Sequence, residues 1–152
     1  MVKILFICHG NICRSPMAEF IMKVTVREAG LTSAIQIDSA AVSREEIGNP
    51  IYPPAQRQLR AHGVPFDDHR ARQMTRADYD TYDLLIGMDG SNLAAMRRIC
   101  GGDPDGKLRL LMAYTGTARD VADPWYTGDF DAAWRDIESG CRALLDALRS
   151  SL

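Results

Sequence analysis

Cys8 and Arg14 are separated by the five residues HGNIC and followed at once by Ser15-Pro16. The stretch CHGNICRSP comes directly after the apolar run VKILFI. If the run is a strand and Ser15-Pro16 opens a helix, several unpaired backbone N–H groups between them converge on one concavity. The helix dipole adds positive potential there, so the concavity favours an anion. Gly10 lets the backbone approach that anion closely, or adopt a positive φ. Asn11 tolerates the left-handed region and can hydrogen-bond the loop to itself. Arg14 offers a planar fork of donors matched to two oxygens of a phosphate. Cys8 turns a cradle into a reactive one. A free thiol has a pKa near ~8.5, and a helix N-terminus or a nearby cation lowers it to roughly 3.5–7.5. N–H groups that hold phosphate would first stabilise a thiolate, a nucleophile aimed at the anion it would attack.

Other readings of the stretch fit less well. A nucleotide-binding loop needs Gly-x-x-x-x-Gly-Lys-Ser/Thr, and both the lysine and the spacing are missing. A zinc site built on Cys8, His9 and Cys13 lacks a second CxxC or HxxxH cluster. A structural turn with an incidental cysteine is the bland alternative.

The elements that must position these residues alternate between strand and helix. Val2 to Ile7, broken only by Lys3, has the continuous apolar pattern of a strand covered on both faces. Ser15 as N-cap and Pro16 at the first helical position open a helix that Gly30 stops. IQID (35–38) predicts a second strand, and Pro53-Pro54 a helix ending at Gly63. DLLIGM (83–88) predicts a strand, SNLAAMRRIC (91–100) a helix and KLRLLM (107–112) a fourth strand. Phe130, Trp134, Ile137, Cys141, Leu144 and Leu148 recur at steps of four and three, the apolar face of a last helix. The order implies an α/β fold, a flavodoxin-like four-stranded parallel sheet with helices on both faces. Such sheets bind ligands beyond the carboxyl ends of their strands, where strand order reverses. Without repeats or a linker, residues 1–152 read as a single domain.

Composition narrows the setting. A formal charge of −2 with no block of like charge gives no footprint for nucleic acid or an anionic membrane. No apolar stretch approaches the ~18 residues of a membrane span, and Met1 leads straight into a strand pattern. A soluble cytoplasmic protein is therefore expected. Four scattered cysteines suit reduced thiols, with Cys100 and Cys141 read as core residues.

CHGNICRSPMAE resembles the low-molecular-weight protein tyrosine phosphatases, as does DPWY at 123–126. The similarity runs on through DSAA (38–41), EIGNP (46–50), HRARQMT (69–75) and MDGSN (88–92). It implies that Cys8 attacks phosphorus to form a cysteinyl-phosphate while Arg14 and the loop N–H groups hold the equatorial oxygens. It further implies Asp123 as general acid for the departing phenol and as base for the water that follows. Taken alone, Asp-Pro is an ordinary turn, and Asp120 three residues earlier is a decoy. Substrate contacts are expected from His9, Gly10, Asn11, Ile12, Cys13, Ser15, Glu45, Trp125 and Tyr126. Ser15 is expected both to cap the helix and to donate to the thiolate sulfur. Asn11, Ser39 and His69 match positions that brace the loop, and Asp89 resembles another. Cys13 is expected to form a reversible disulfide with Cys8 under oxidation. The resemblance implies phosphotyrosine-containing protein substrates, no nucleic-acid or membrane partner, and a monomer or weak homodimer. No cofactor or metal is expected, because Arg14 and the amides supply the positive charge.

This chain also departs from the family pattern. His9 stands where a small aliphatic residue or threonine is usual, and Glu45 where an aromatic wall is common. Tyr52 and Pro54 replace an Asp and an Arg after the proline of GNP. Three other functions compete on these residues. Thioredoxin-coupled arsenate reductases share the loop but need a further cysteine pair, and residues 64–99 contain none. Protein-arginine phosphatases carry threonine where this chain has Ile12, whose apolar side chain suits an aromatic substrate. A silent phosphopeptide-binding module would lack the nucleophile or the acid.

Overall fold

The apolar run that opens the chain becomes β1, Val2–Cys8, in the computed structural model, which describes residues 1–152. Its residues divide their side chains between two cores, as a strand's alternation requires. Ile4, Phe6 and Cys8 belong to one core, Leu5 and Ile7 to the other. The chain continues through α1 (Arg14–Glu28) into β2 (Ile35–Ala41), then α2 (Pro53–Ala61) and α3 (Arg76–Thr81). β3 (Leu84–Gly87), α4 (Gly90–Cys100) and β4 (Leu108–Leu110) follow, and β4 runs into a 3-10 helix at Leu111–Thr115. α5 (Pro124–Thr127) and α6 (Phe130–Arg149) close the chain.

All strand pairs are parallel, in the order β2-β1-β3-β4. Ile4 pairs with Ile37 on one side and with Leu84 on the other. From β1 the chain goes first to β2, then crosses back to β3, so strand order reverses beside β1. The carboxyl end of β1, at Cys8, is therefore the switch point where such sheets bind ligands.

The α6 stripe packs as its periodicity predicts. Trp134, Ile137, Cys141 and Leu144 are buried against Met17, Ile21 and the first core, with Phe130 and Leu148 at its margin. Gly140 allows α6 to approach the 3-10 helix, because a Cβ there would lie 2.6 Å from Leu111 Cγ. On the opposite face Met96 and Cys100 of α4 pack with Tyr79, Tyr82 and Leu85. The expected helices on both faces are present.

Several boundaries differ from expectation. The second strand runs on from Asp38 to Ala41, and the fourth is three residues long before it tightens into the 3-10 helix. Two short helices had no periodicity to announce them. α3 is fixed by a capping box between Thr75 and Asp78, α5 by Asp123 accepting from the Trp125 N–H. No helix is long and apolar enough to cross a membrane.

Candidate active site

The loop between β1 and α1 folds around the sulfur of Cys8. The Asn11 backbone N–H points to Cys8 Sγ at 3.3 Å, and Ser15 Oγ lies 3.0 Å from it. α1 starts at Arg14 with Cys13 at the capping position and no side-chain cap. The expectation that Ser15 caps the helix is corrected: Ser15 lies inside the first turn, and its oxygen is committed elsewhere. It accepts from Asn11 Nδ2 at 2.8 Å, which frees its own proton for the sulfur.

Asn11, not Gly10, takes the left-handed turn, with φ 60°. Gly10 is needed for space: a Cβ there would lie 3.1 Å from Glu46 Cγ. The Asn11 side chain is fully buried and uses its whole hydrogen-bonding capacity. Nδ2 donates to Ser15 Oγ and, at 3.0 Å, to Ser39 Oγ. Oδ1 accepts from His69 Nε2 at 3.1 Å and from the Arg72 N–H at 3.2 Å. Ser39 Oγ donates to Glu19 Oε1 at 2.6 Å, and Lys23 Nζ donates to Glu19 Oε2 at 2.6 Å. Asn11 and Ser15 thus lie beneath the loop and do not line the pocket, a change from their expected place among substrate contacts.

Asn11→Ala is therefore expected to lower stability by about 2–4 kcal/mol. The substitution strands several buried donors and acceptors and puts an alanine in the left-handed region. Thermal unfolding should read this as a Tm fall of roughly 5–15 °C. Asn11→Gly should recover only the backbone share, and a Tm for the alanine variant within about 2 °C of wild type would refute this account.

Arg14 is 2% exposed and held by three partners. One terminal nitrogen donates to Asp89 Oδ2 and to the Val121 carbonyl, each at 2.8 Å, and the other to Asp123 Oδ2 at 3.3 Å. Burial acts to lower its pKa, but Cys8, Asp89 and Asp123 outweigh that and hold it above the ordinary arginine value. Asp89 does two jobs, since its other oxygen caps α4 through the Asn92 N–H at 2.7 Å. Burial, then the neighbouring Cys8 and Asp123 charges, push the Cys13 thiol upward, so Cys13 stays protonated beside Cys8. All four cysteines are free.

Three segments line a pocket of about 110 Å³. Cys8, His9, Gly10, Ile12, Cys13 and Arg14 come from the loop, Glu45 and Glu46 from the turn after β2, and Asp123, Trp125 and Tyr126 from α5 and its cap. His9 is exposed and meets Glu45 Oε2 through Nε2 at 3.0 Å. Trp125 and Tyr126 are exposed. Asp120 is outside the pocket and accepts from the Gly90 N–H. The sequence reading missed Glu19, the Arg72 amide and the Val121 carbonyl. A glutamate one turn beyond Ser15 in a buried helix face was the only visible cue to Glu19, and backbone groups leave no cue at all.

The sequence profile described as low molecular weight phosphotyrosine protein phosphatase matches residues 3–152. The chain belongs to that family. It is 38% identical to the Bacillus subtilis low molecular weight protein-tyrosine-phosphatase YfkJ over 98% of this chain and 97% of that one. It is 36% identical to the human low molecular weight phosphotyrosine protein phosphatase, covering 94% and 93%. Among solved structures, YfkJ superposes with a TM-score of 0.95 over 99% of this chain and 96% of that one. A Drosophila arginine phosphatase superposes at 0.89, with 30% identity over 97% and 98%. Family membership and the four-stranded parallel sheet thus agree with the resemblance read from CHGNICRS and DPWY.

Proposed function

We propose that this phosphatase hydrolyses protein phosphotyrosine and small aryl phosphates, with Cys8 as nucleophile and Asp123 as general acid and base. Cys8 Sγ attacks phosphorus, the P–O bond to the aryl group breaks, and Asp123 delivers a proton to the departing oxygen. Water then attacks the cysteinyl-phosphate, Asp123 takes its proton, and the S–P bond breaks to return the thiolate that Ser15 bonds. Arg14 and the loop N–H groups hold the equatorial oxygens through both steps. The convergence of Cys8, Arg14 and Asp123 on one pocket carries this reading. In the same reading the protein works in the cytoplasm, where a free nucleophilic thiol stays reduced, as a monomer or weak homodimer.

The arginine phosphatase relative supplies a second reading, hydrolysis of phosphoarginine. Ile12 weighs against it, because its side chain gives the pocket an apolar contact suited to an aryl ring. The deciding comparison sets a phosphotyrosine peptide, an aryl phosphate and a phosphoarginine peptide against wild type and Asp123→Ala. Phosphotyrosine should be preferred, and a preference for phosphoarginine would reverse the assignment. Asp123→Ala should lose roughly 10²–10³-fold in kcat on poor leaving groups, and far less on para-nitrophenol, which departs with little protonation.

Glu45 and Glu46 give the mouth a negative rim on one side. Peptides with Lys or Arg beside the phosphotyrosine should show higher kcat/KM than those with Asp or Glu, with the gap narrowing as salt rises. Equal values at low ionic strength would remove the rim as a selector.

A further inference from the structure

Tyr52 precedes α2 and does not itself line the pocket, but it packs behind Ile12 and Cys13, which do. Its backbone N–H donates to the Ile12 carbonyl at 2.9 Å, so it is fastened to the phosphate-binding loop. Its ring lies 4.8 Å from that of Trp125, tilted by 50°, and 6.2 Å from that of Phe130, stacked at 29°. Trp125 and Phe130 bracket the segment that follows Asp123. The Trp125 N–H in turn donates to Asp123 Oδ1 at 3.0 Å. α5 is a single turn with an exposed surface, and besides the Trp125 N–H the Asp123 carboxylate is held by Arg14 at 3.3 Å. The contacts therefore run from the loop through Tyr52 to Trp125 and on to Asp123.

We propose that Tyr52 is a positioning residue for the general acid. Packed at a tilt against Trp125 and stacked on Phe130 while bonded to the loop, it sets the distance between the Asp123 carboxylate and the phosphate ester oxygen. The inference rests on Asp123 being the acid. Tyr52 does not line the pocket, and its hydroxyl makes no hydrogen bond within the chain, so its role lies in the packing of the ring.

The test measures kcat and KM for Tyr52→Ala, Tyr52→Leu, Tyr52→Phe and Asp123→Ala on aryl phosphates whose phenols span a wide pKa range. Misplacing a catalytic group by about 1 Å can cost on the order of 100-fold. Tyr52→Ala should thus lose about 10-fold or more in kcat on phenyl phosphate and less than about twofold on 2,4-dinitrophenyl phosphate, with KM little changed. Tyr52→Phe should match wild type on every substrate. Adding Tyr52→Ala to Asp123→Ala should cost nothing further, since the acid it places is gone. Circular dichroism confirms folding, and Tyr52→Leu takes over the comparison if the alanine variant does not fold. A loss equal on all leaving groups would make Tyr52 merely structural and overturn the proposal, as would no loss. If Asp123→Ala itself shows no dependence on the leaving group, the acid assignment fails and the role of Tyr52 falls with it, an outcome distinct from a failure at Tyr52 alone.

Discussion

Cys8→Ser is expected to leave no measurable turnover of aryl phosphates, a loss of at least about 10⁴-fold in kcat. A serine hydroxyl is a far weaker acid than a thiol, so in this reading the substituted side chain offers no comparable nucleophile. Ser15 Oγ and the Asn11 amide face the sulfur, and the Arg14 guanidinium is held in its protonated form by its neighbours. The groups that hold an oxyanion are untouched by the substitution. Inorganic phosphate should therefore bind with an affinity within a few-fold of wild type, as read by calorimetry. A serine variant that keeps more than about 1% of the rate on para-nitrophenyl phosphate would end the nucleophile assignment.

Arg14→Lys should be nearly as damaging for a different reason. The charge survives, but the planar fork does not, and a point ammonium cannot match two equatorial oxygens. A loss of roughly 10³-fold in kcat is expected, comparable to removing an arginine from other phosphoryl-transfer sites. Stability should fall as well. Asp89 and the Val121 carbonyl each receive a 2.8 Å hydrogen bond from one buried guanidinium nitrogen, and lysine cannot replace that geometry. Steady-state kinetics and thermal unfolding separate the two effects. Activity within tenfold of wild type would mean that the amides alone carry the charge of the transferring group.

Much of this architecture is legible in the chain, because its signals are local. The run VKILFI, the Pro-opened helices and the α6 stripe each state a period or a cap, and each forms near its expected place. β4 does not, because its last expected residues are also apolar enough to pack as a 3-10 turn. α3 and α5 are too short for any period to register. The loop residues Cys8 to Arg14 were visible because they are contiguous. The brace beneath them was only half visible: Asn11, Ser39 and His69 came through likeness, while Glu19 and the Arg72 amide depend on how β2 and the 69–72 segment pass each other. The same limit applies to Ser15, whose type suits a helix cap but whose three-dimensional neighbours recruit it to the sulfur.

The partners of Arg14 lie 75, 107 and 109 residues further along the chain. During synthesis, the Cys8 sulfur therefore emerges from the ribosome long before the groups that hold the arginine. A nascent chain short of Asp123 carries a bare thiol and an unplaced cation, with nothing to make them act together. A product abandoned before residue 89 has the sulfur but none of the three groups that hold its arginine.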